Sequence, residues 1–202
     1  MHTPEQITEI VLKVIQELNK TDVSKLSTEE KIQLAKDPST TPEILQSLSR
    51  DKYSFVRSWV ACHPNVTVEI LQSLSRDENY YVRYYVACHP NVTPEILQSL
   101  SRDEVYYVRS WVARHPNVTV EILQGLSRDK DSYVRYWVAQ HPNATVEILQ
   151  SLSRDKEYYV RKEAMKNPNY KPKTLELTLA QYDSLKTLLA SSRDEVLKTL
   201  TL

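Results

Sequence analysis

Residues 91–116 read NVTPEILQSLSRDEVYYVRSWVARHP, and the residues that follow begin the same pattern again. Thr93 has the side chain of a helix N-cap. Pro94 suits the first helical position, where no N–H is needed, and Glu95 suits the positive end of the helix dipole. Ile96, Leu97 and Leu100 then fall on one face of a short, half-buried helix. Asp103 is placed to cap a second helix, EVYYVRSWVAR. His115-Pro116-Asn117 ends it, because the residue before a proline avoids the helical region and proline cannot continue the ladder.

Working outward, the pattern repeats every 26 residues. Pro64, Pro90, Pro116, Pro142 and Pro168 keep that step, as do Thr41, Thr67, Thr93, Thr119 and Thr145, and Arg57, Arg83, Arg109, Arg135 and Arg161. Pro38 carries the proline series one step earlier. Helix, corner, helix, corner at a fixed period predicts an all-α chain, a solenoid of two-helix repeats in which each unit contacts only its neighbours. Five tandem units span residues 41–170. Residues 1–40 read as an N-terminal helical cap and degenerate first unit, with one amphipathic helix over 3–19 and another starting at Thr28. Residues 171–202 read as a C-terminal helical cap, in which SRDEV at 192–196 echoes SRDEV at 101–105 off the 26-residue grid.

Comparing units column by column separates two kinds of position. The valines Val56, Val82, Val108, Val134 and Val160 never change, nor does the arginine after each. The arginine column is a candidate phosphate ladder, but its position beside core valines favours a structural ladder in which each arginine meets the aspartate six residues before it or its neighbour's. Phe55, Tyr81, Tyr107, Tyr133 and Tyr159 are aromatic in every unit, which suits a stacked ladder between neighbouring helices at least as well as a binding role.

Three columns on the other face do change: Ser54, Tyr80, Tyr106, Ser132 and Tyr158; Ser58, Tyr84, Ser110, Tyr136 and Lys162; and Cys62, Cys88, Arg114, Gln140 and Lys166. A core position would not tolerate exchange of a hydroxymethyl for a phenol. Tyrosine and serine with occasional Trp and Arg is the composition of antibody-like paratopes. The candidate partner-binding set is therefore Ser54, Ser58, Trp59, Tyr80, Tyr84, Tyr85, Tyr106, Ser110, Trp111, Arg114, Ser132, Tyr136, Trp137, Gln140, Tyr158 and Lys162.

Composition narrows the function further. Lys+Arg 26 balances Asp+Glu 26, so no global field draws the chain to nucleic acid or to an anionic membrane. The single glycine, Gly125, removes glycine-rich phosphate loops and nucleophile elbows, which need several residues without a Cβ. Cys62 and Cys88 are too few for a disulfide framework and point to a reducing, cytoplasmic setting, and no apolar run is long enough to cross a bilayer. His63, His89, His115 and His141 recur one per unit, too far apart to share a metal, and read as corner residues at helix C-termini. Catalysis needs a unique constellation, whereas every chemistry-bearing residue here recurs in register. The expectation is no enzyme activity and no cofactor.

The pattern T-x-E-I-L-x-x-L-x-x-D-x-x-x-x-V-R-x-x-V-A-x-x-P resembles the leucine-rich repeat variant family, within the HEAT-like α-solenoid class, over roughly residues 41–170. The resemblance implies a right-handed superhelix with the VR helix on the inner side. Some members of that family carry an iron–sulfur cluster in a cysteine-rich N-terminal segment. Residues 1–40 contain no cysteine, so that cofactor is not carried over. The favoured reading is a monomeric scaffold that binds a protein or peptide through the Tyr/Ser/Trp surface. Nucleic-acid binding, with tyrosines stacking on bases and arginines on phosphates, is the less favoured alternative. An engineered or recently expanded array without a settled ligand is another.

Overall fold

The computed structural model describes Thr3, residues 22–172, 183–184 and 186–190. The chain divides into two compact units, Met1–Tyr170 and Lys171–Leu202. The helices foreseen over 3–19 and around 192–196 lie outside the described residues.

Within the first unit the described residues form helices and no strands. A 3₁₀ turn, Val23–Lys25, precedes α1 (Thr28–Lys36), whose Ser27 and Glu30 form a reciprocal capping box. Five pairs follow: α2 (Pro42–Leu48) with α3 (Ser54–Ala61), α4 (Val68–Leu74) with α5 (Tyr80–Cys88), α6 (Pro94–Leu100) with α7 (Tyr106–Arg114), α8 (Val120–Leu126) with α9 (Ser132–Gln140), and α10 (Val146–Leu152) with α11 (Tyr158–Lys166). The second helices α3, α5, α7, α9 and α11 pack on one another in chain order, with α1 before them. Each first helix packs against the second helices of its own unit and the unit before. This is a solenoid of helical repeats.

Local chemistry sets each boundary. Thr67, Thr93, Thr119 and Thr145 cap the first helices, their hydroxyls accepting from the N–H of Ile70, Ile96, Ile122 and Ile148. The Thr93 hydroxyl and the residue's own N–H hold the Glu95 carboxyl below its ordinary range. At the other end the hydroxyls of Ser75, Ser101, Ser127 and Ser153 donate back to carbonyls three residues earlier and close the last turn. His89, His115 and His141 end the second helices in extended conformation before proline.

The expected aspartate cap is displaced. Asp103 is not the N-cap of α7; that position belongs to Val105, whose N–H donates to Asp103 Oδ1 at 2.9 Å. The aspartate instead orders the corner through a side-chain turn. Asn79 and Asp131, with short polar side chains at the same position, cap directly, accepting the N–H of Tyr81 and Tyr133, whereas Glu157 does not.

One continuous core runs through the unit, built from Ile96, Leu97 and Leu100 of the first helix, Val108, Val112 and Ala113 of the second, Val118 of the corner, and their equivalents. Two polar ladders run beside it. In the first, Arg57, Arg83, Arg109 and Arg135 each grip the next unit's aspartate (Asp77, Asp103, Asp129, Asp155) through Nε and Nη2, while Nη1 donates to the carbonyl of the unit's own aspartate. Lys31 takes the first rung, at 2.8 Å from Asp51. In the second, His89, His115 and His141 reach through Nε2 to the carbonyl of the preceding unit's histidine, and Nδ1 accepts the N–H of the asparagine two residues on. Because Nδ1 accepts, Nε2 carries the proton, and the rings are neutral. His63 opens the series on the Asp37 carbonyl and Asn167 closes it on the His141 carbonyl.

Candidate functional site

The second helices bury one side in the core and present the other as an aromatic face. The face exists because the core side is filled by the small residues Val and Ala, which leaves every large side chain of the VR segment to point elsewhere.

The structure places the candidate residues unevenly on this face. Tyr80, Tyr85 and Tyr158 are exposed, as are Arg114, Gln140 and Lys162. Ser54, Trp59, Tyr84, Tyr106, Trp111, Ser132, Tyr136 and Trp137 are half-buried. Ser58 and Ser110 are buried, and their hydroxyls donate to the carbonyls of Ser54 and Tyr107. Ser110, 1% exposed, offers no surface to a partner. Its column lies beside the arginine column and faces the neighbouring helix. The exchange of serine for tyrosine there is tolerated because the larger side chain spreads over the joint between helices rather than into the core.

The aromatic column foreseen as an interhelical stack is instead the most open part of the face. Phe55, Tyr81, Tyr107, Tyr133 and Tyr159 are all exposed, from 40% for Tyr133 to 63% for Phe55. Among described residues these rings do not stack on one another. They lean on the first position of their own or the preceding unit: Tyr80–Tyr81 and Tyr106–Tyr107 at 4.2 Å, Tyr133 edge-on to Tyr106 at 6.2 Å, and the Tyr159 hydroxyl donating to Ser132 Oγ. One ring face or edge of each is left to solvent. Constancy across units was the available signal, and it does not distinguish a packed column from an exposed one.

Between units the rings interlock. Tyr84 meets Trp111 edge-on at 5.5 Å, Tyr136 lies 6.0 Å from Tyr159, and the Arg114 guanidinium sits between Trp111 and Trp137, 3.9 and 4.0 Å from their centroids. Lys36 covers Trp59 at 4.4 Å. Towards the N-terminal end the face opens into a mostly apolar cavity of about 400 Å³, walled by Ser54, Phe55, Ser58 and Trp59 of α3 and by Tyr81 and Tyr85 of α5.

Four of the five arginines in the column are committed to the ladder: Arg57, Arg83, Arg109 and Arg135 are buried, and the bonded aspartate raises each one's pKa above the ordinary value. They have no guanidinium edge left for a phosphate. Burial pushes the Cys88 thiol up to about 12, which keeps it protonated and a poor nucleophile; both cysteines are free. Among the described residues no group of three or more His, Cys, Asp or Glu side chains could hold a metal ion, and no helix is long and apolar enough to cross a membrane.

No protein-family model matches the sequence, and no curated protein matches it. Among solved structures, the chain is similar to a leucine-rich repeat variant with a novel repetitive structural motif, at 28% identity and a TM-score of 0.61 over 73% of this chain. The chain shares the fold of a leucine-rich repeat variant. It spans 59% of the length of that neighbour. An engineered protein also aligns, at 17% identity and a TM-score of 0.40 over 75% of this chain and 94% of that one. The repeat-variant resemblance read from the T-x-E-I-L and V-R-x-x-V-A columns is borne out by the first of these.

Proposed function

We propose that this repeat-variant chain is a non-enzymatic interaction module that binds a protein or peptide through the aromatic face of its second helices. The observation that carries the reading is the column Phe55, Tyr81, Tyr107, Tyr133 and Tyr159, aromatic in every unit and exposed in every unit. Exposed tyrosines are the residues that anchor protein interfaces, since each supplies a rigid apolar area and a hydroxyl at low entropic cost. The flanking columns, which switch among Ser, Tyr, Lys, Arg, Gln and Cys, give each joint between units its own shape and charge on a constant frame. Nucleic-acid binding draws no support from Arg57, Arg83, Arg109 and Arg135, whose charges are spent within the ladder. The test is a Tyr81→Ser, Tyr107→Ser, Tyr133→Ser triple variant, measured against a partner captured by the wild-type chain. Binding weaker by at least about 100-fold is expected from the loss of two or more hot-spot residues, and unchanged affinity in a folded variant refutes the reading.

A further inference from the structure

The cavity between α3 and α5 is the imprint of a missing tyrosine. One unit on, Tyr84 packs against the rings of Tyr85 and Trp111, and its hydroxyl lies beside Cys88. Shifted back by one 26-residue unit, those three partners are Trp59, Tyr85 and Cys62, and all three line the cavity. Tyr136, three units further from Ser58, touches Tyr133, Trp137, Tyr159 and, through its hydroxyl, Gln140. Shifted back by three units, these are Phe55, Trp59, Tyr81 and Cys62, which again all line the cavity. In the column of Tyr84 and Tyr136 the first unit carries Ser58.

The unit with Ser110 also lacks this ring, but there Arg114 lies between Trp111 and Trp137 and Tyr106 reaches Tyr133. The first unit has neither substitute: Cys62 stands in the column of Arg114, and Ser54 in that of Tyr106. Ser54, Ser58 and Cys62 together leave the gap, and no acidic side chain lines it. With the Lys36 ammonium already over Trp59, 4.4 Å from its centroid, and no carboxylate in the wall to offset a second positive charge, the cavity fits a neutral aromatic guest better than a cation.

We infer that this cavity receives a tyrosine side chain of the bound protein or peptide, seated as Tyr84 and Tyr136 are seated in their own units. The inference deepens the proposed binding face and rests on it. The side-chain mimic p-cresol is the probe, titrated against the full chain and followed by Trp fluorescence and by NMR of aromatic side chains. Saturable binding with a dissociation constant of about 1–10 mM is expected for so small a ligand, with shifts confined to Phe55, Trp59, Tyr81 and Tyr85. Ser58→Tyr supplies the ring in place and weakens binding by at least about tenfold. Tyr80→Ser with Tyr84→Ser, beside the Cys88 already present, reproduces the Ser54, Ser58 and Cys62 set between α5 and α7 and adds a second p-cresol site beside Trp111, a gain that loss of folding cannot imitate. Shifts scattered over the whole face, binding unaffected by Ser58→Tyr, or tighter binding of tetramethylammonium than of p-cresol would each overturn the tyrosine pocket. Those results leave the wider face untouched, because that reading is decided separately by Tyr107→Ser with Tyr133→Ser, at two residues that do not line the cavity.

Discussion

Arg83 of one unit grips Asp103 of the next: Nε and Nη2 donate to the two carboxylate oxygens at 2.6 and 3.0 Å, while Nη1 donates to the Asp77 carbonyl of its own unit at 2.8 Å. The arginine thus spans two corners and fixes the step between units. A buried charge held this way is expensive to orphan. Arg109→Ala, which leaves Asp129 facing no cation, is expected to destabilise the array by about 3–5 kcal/mol, read from denaturant unfolding. A cost below about 1 kcal/mol, the range of an exposed pair, would contradict the ladder's role.

The histidine ladder makes stability depend on pH in a defined direction. His89, His115 and His141 titrate below the ordinary histidine value, chiefly because burial disfavours the cation, with the preceding histidine's carbonyl opposing. The titratable groups facing His89 are His63 and His115. With the folded value depressed, the unfolded chain binds more protons as pH falls. The stabilisation is therefore present above about pH 6.5, the unfolded value, and is lost as pH drops towards the folded values. Unfolding midpoints at pH 7.5 and 5.5 should show the lower midpoint in acid. Asn167 makes the same two bonds in the last unit without titrating, donating to the His141 carbonyl and accepting the N–H of Asn169. His115→Asn should accordingly keep stability at pH 7.5 and flatten the slope.

Capping gives a smaller local prediction. Thr93→Ala removes the hydroxyl that accepts the Ile96 N–H at 3.4 Å and is expected to cost about 1 kcal/mol, whereas Thr93→Ser should cost less than half of that. Equal losses for both variants would show that the hydroxyl bond is not the cause.

Arg114, between two indole faces, ties α7 to α9 on the solvent side. Arg114→Gln should lower stability by about 1 kcal/mol and change the emission of Trp111 and Trp137. A variant with unchanged emission would show that the guanidinium does not sit on those rings in solution.

Most of the frame was legible from residue spacing. Thr93, Pro94, Val108, Arg109 and Pro116 mark the unit, and their physical roles as cap, first turn, core, ladder and stop are local enough to read from one copy. The partner of each arginine was not. Arg57 lies six residues after Asp51 and twenty before Asp77, and the period makes both candidates; the structure uses the carbonyl of the first and the carboxylate of the second. Exposure is not legible for a related reason. Phe55 and Val56 are adjacent and equally regular across units in kind, so column comparison alone cannot tell that one faces water and the other the core. Ser58 looked like surface because it varies, yet it varies over a joint between helices, where its smallness matters as an opening rather than as a contact.

The proposed binding face on the second helices is decided by amide hydrogen exchange of the chain with and without a captured protein or peptide partner. Added protection is expected along α3, α5, α7 and α9, strongest in the turns that carry Phe55, Tyr81, Tyr107 and Tyr133. Protection confined to the first helices α4, α6 and α8, on the side of Glu69, Glu95 and Glu121, would contradict it.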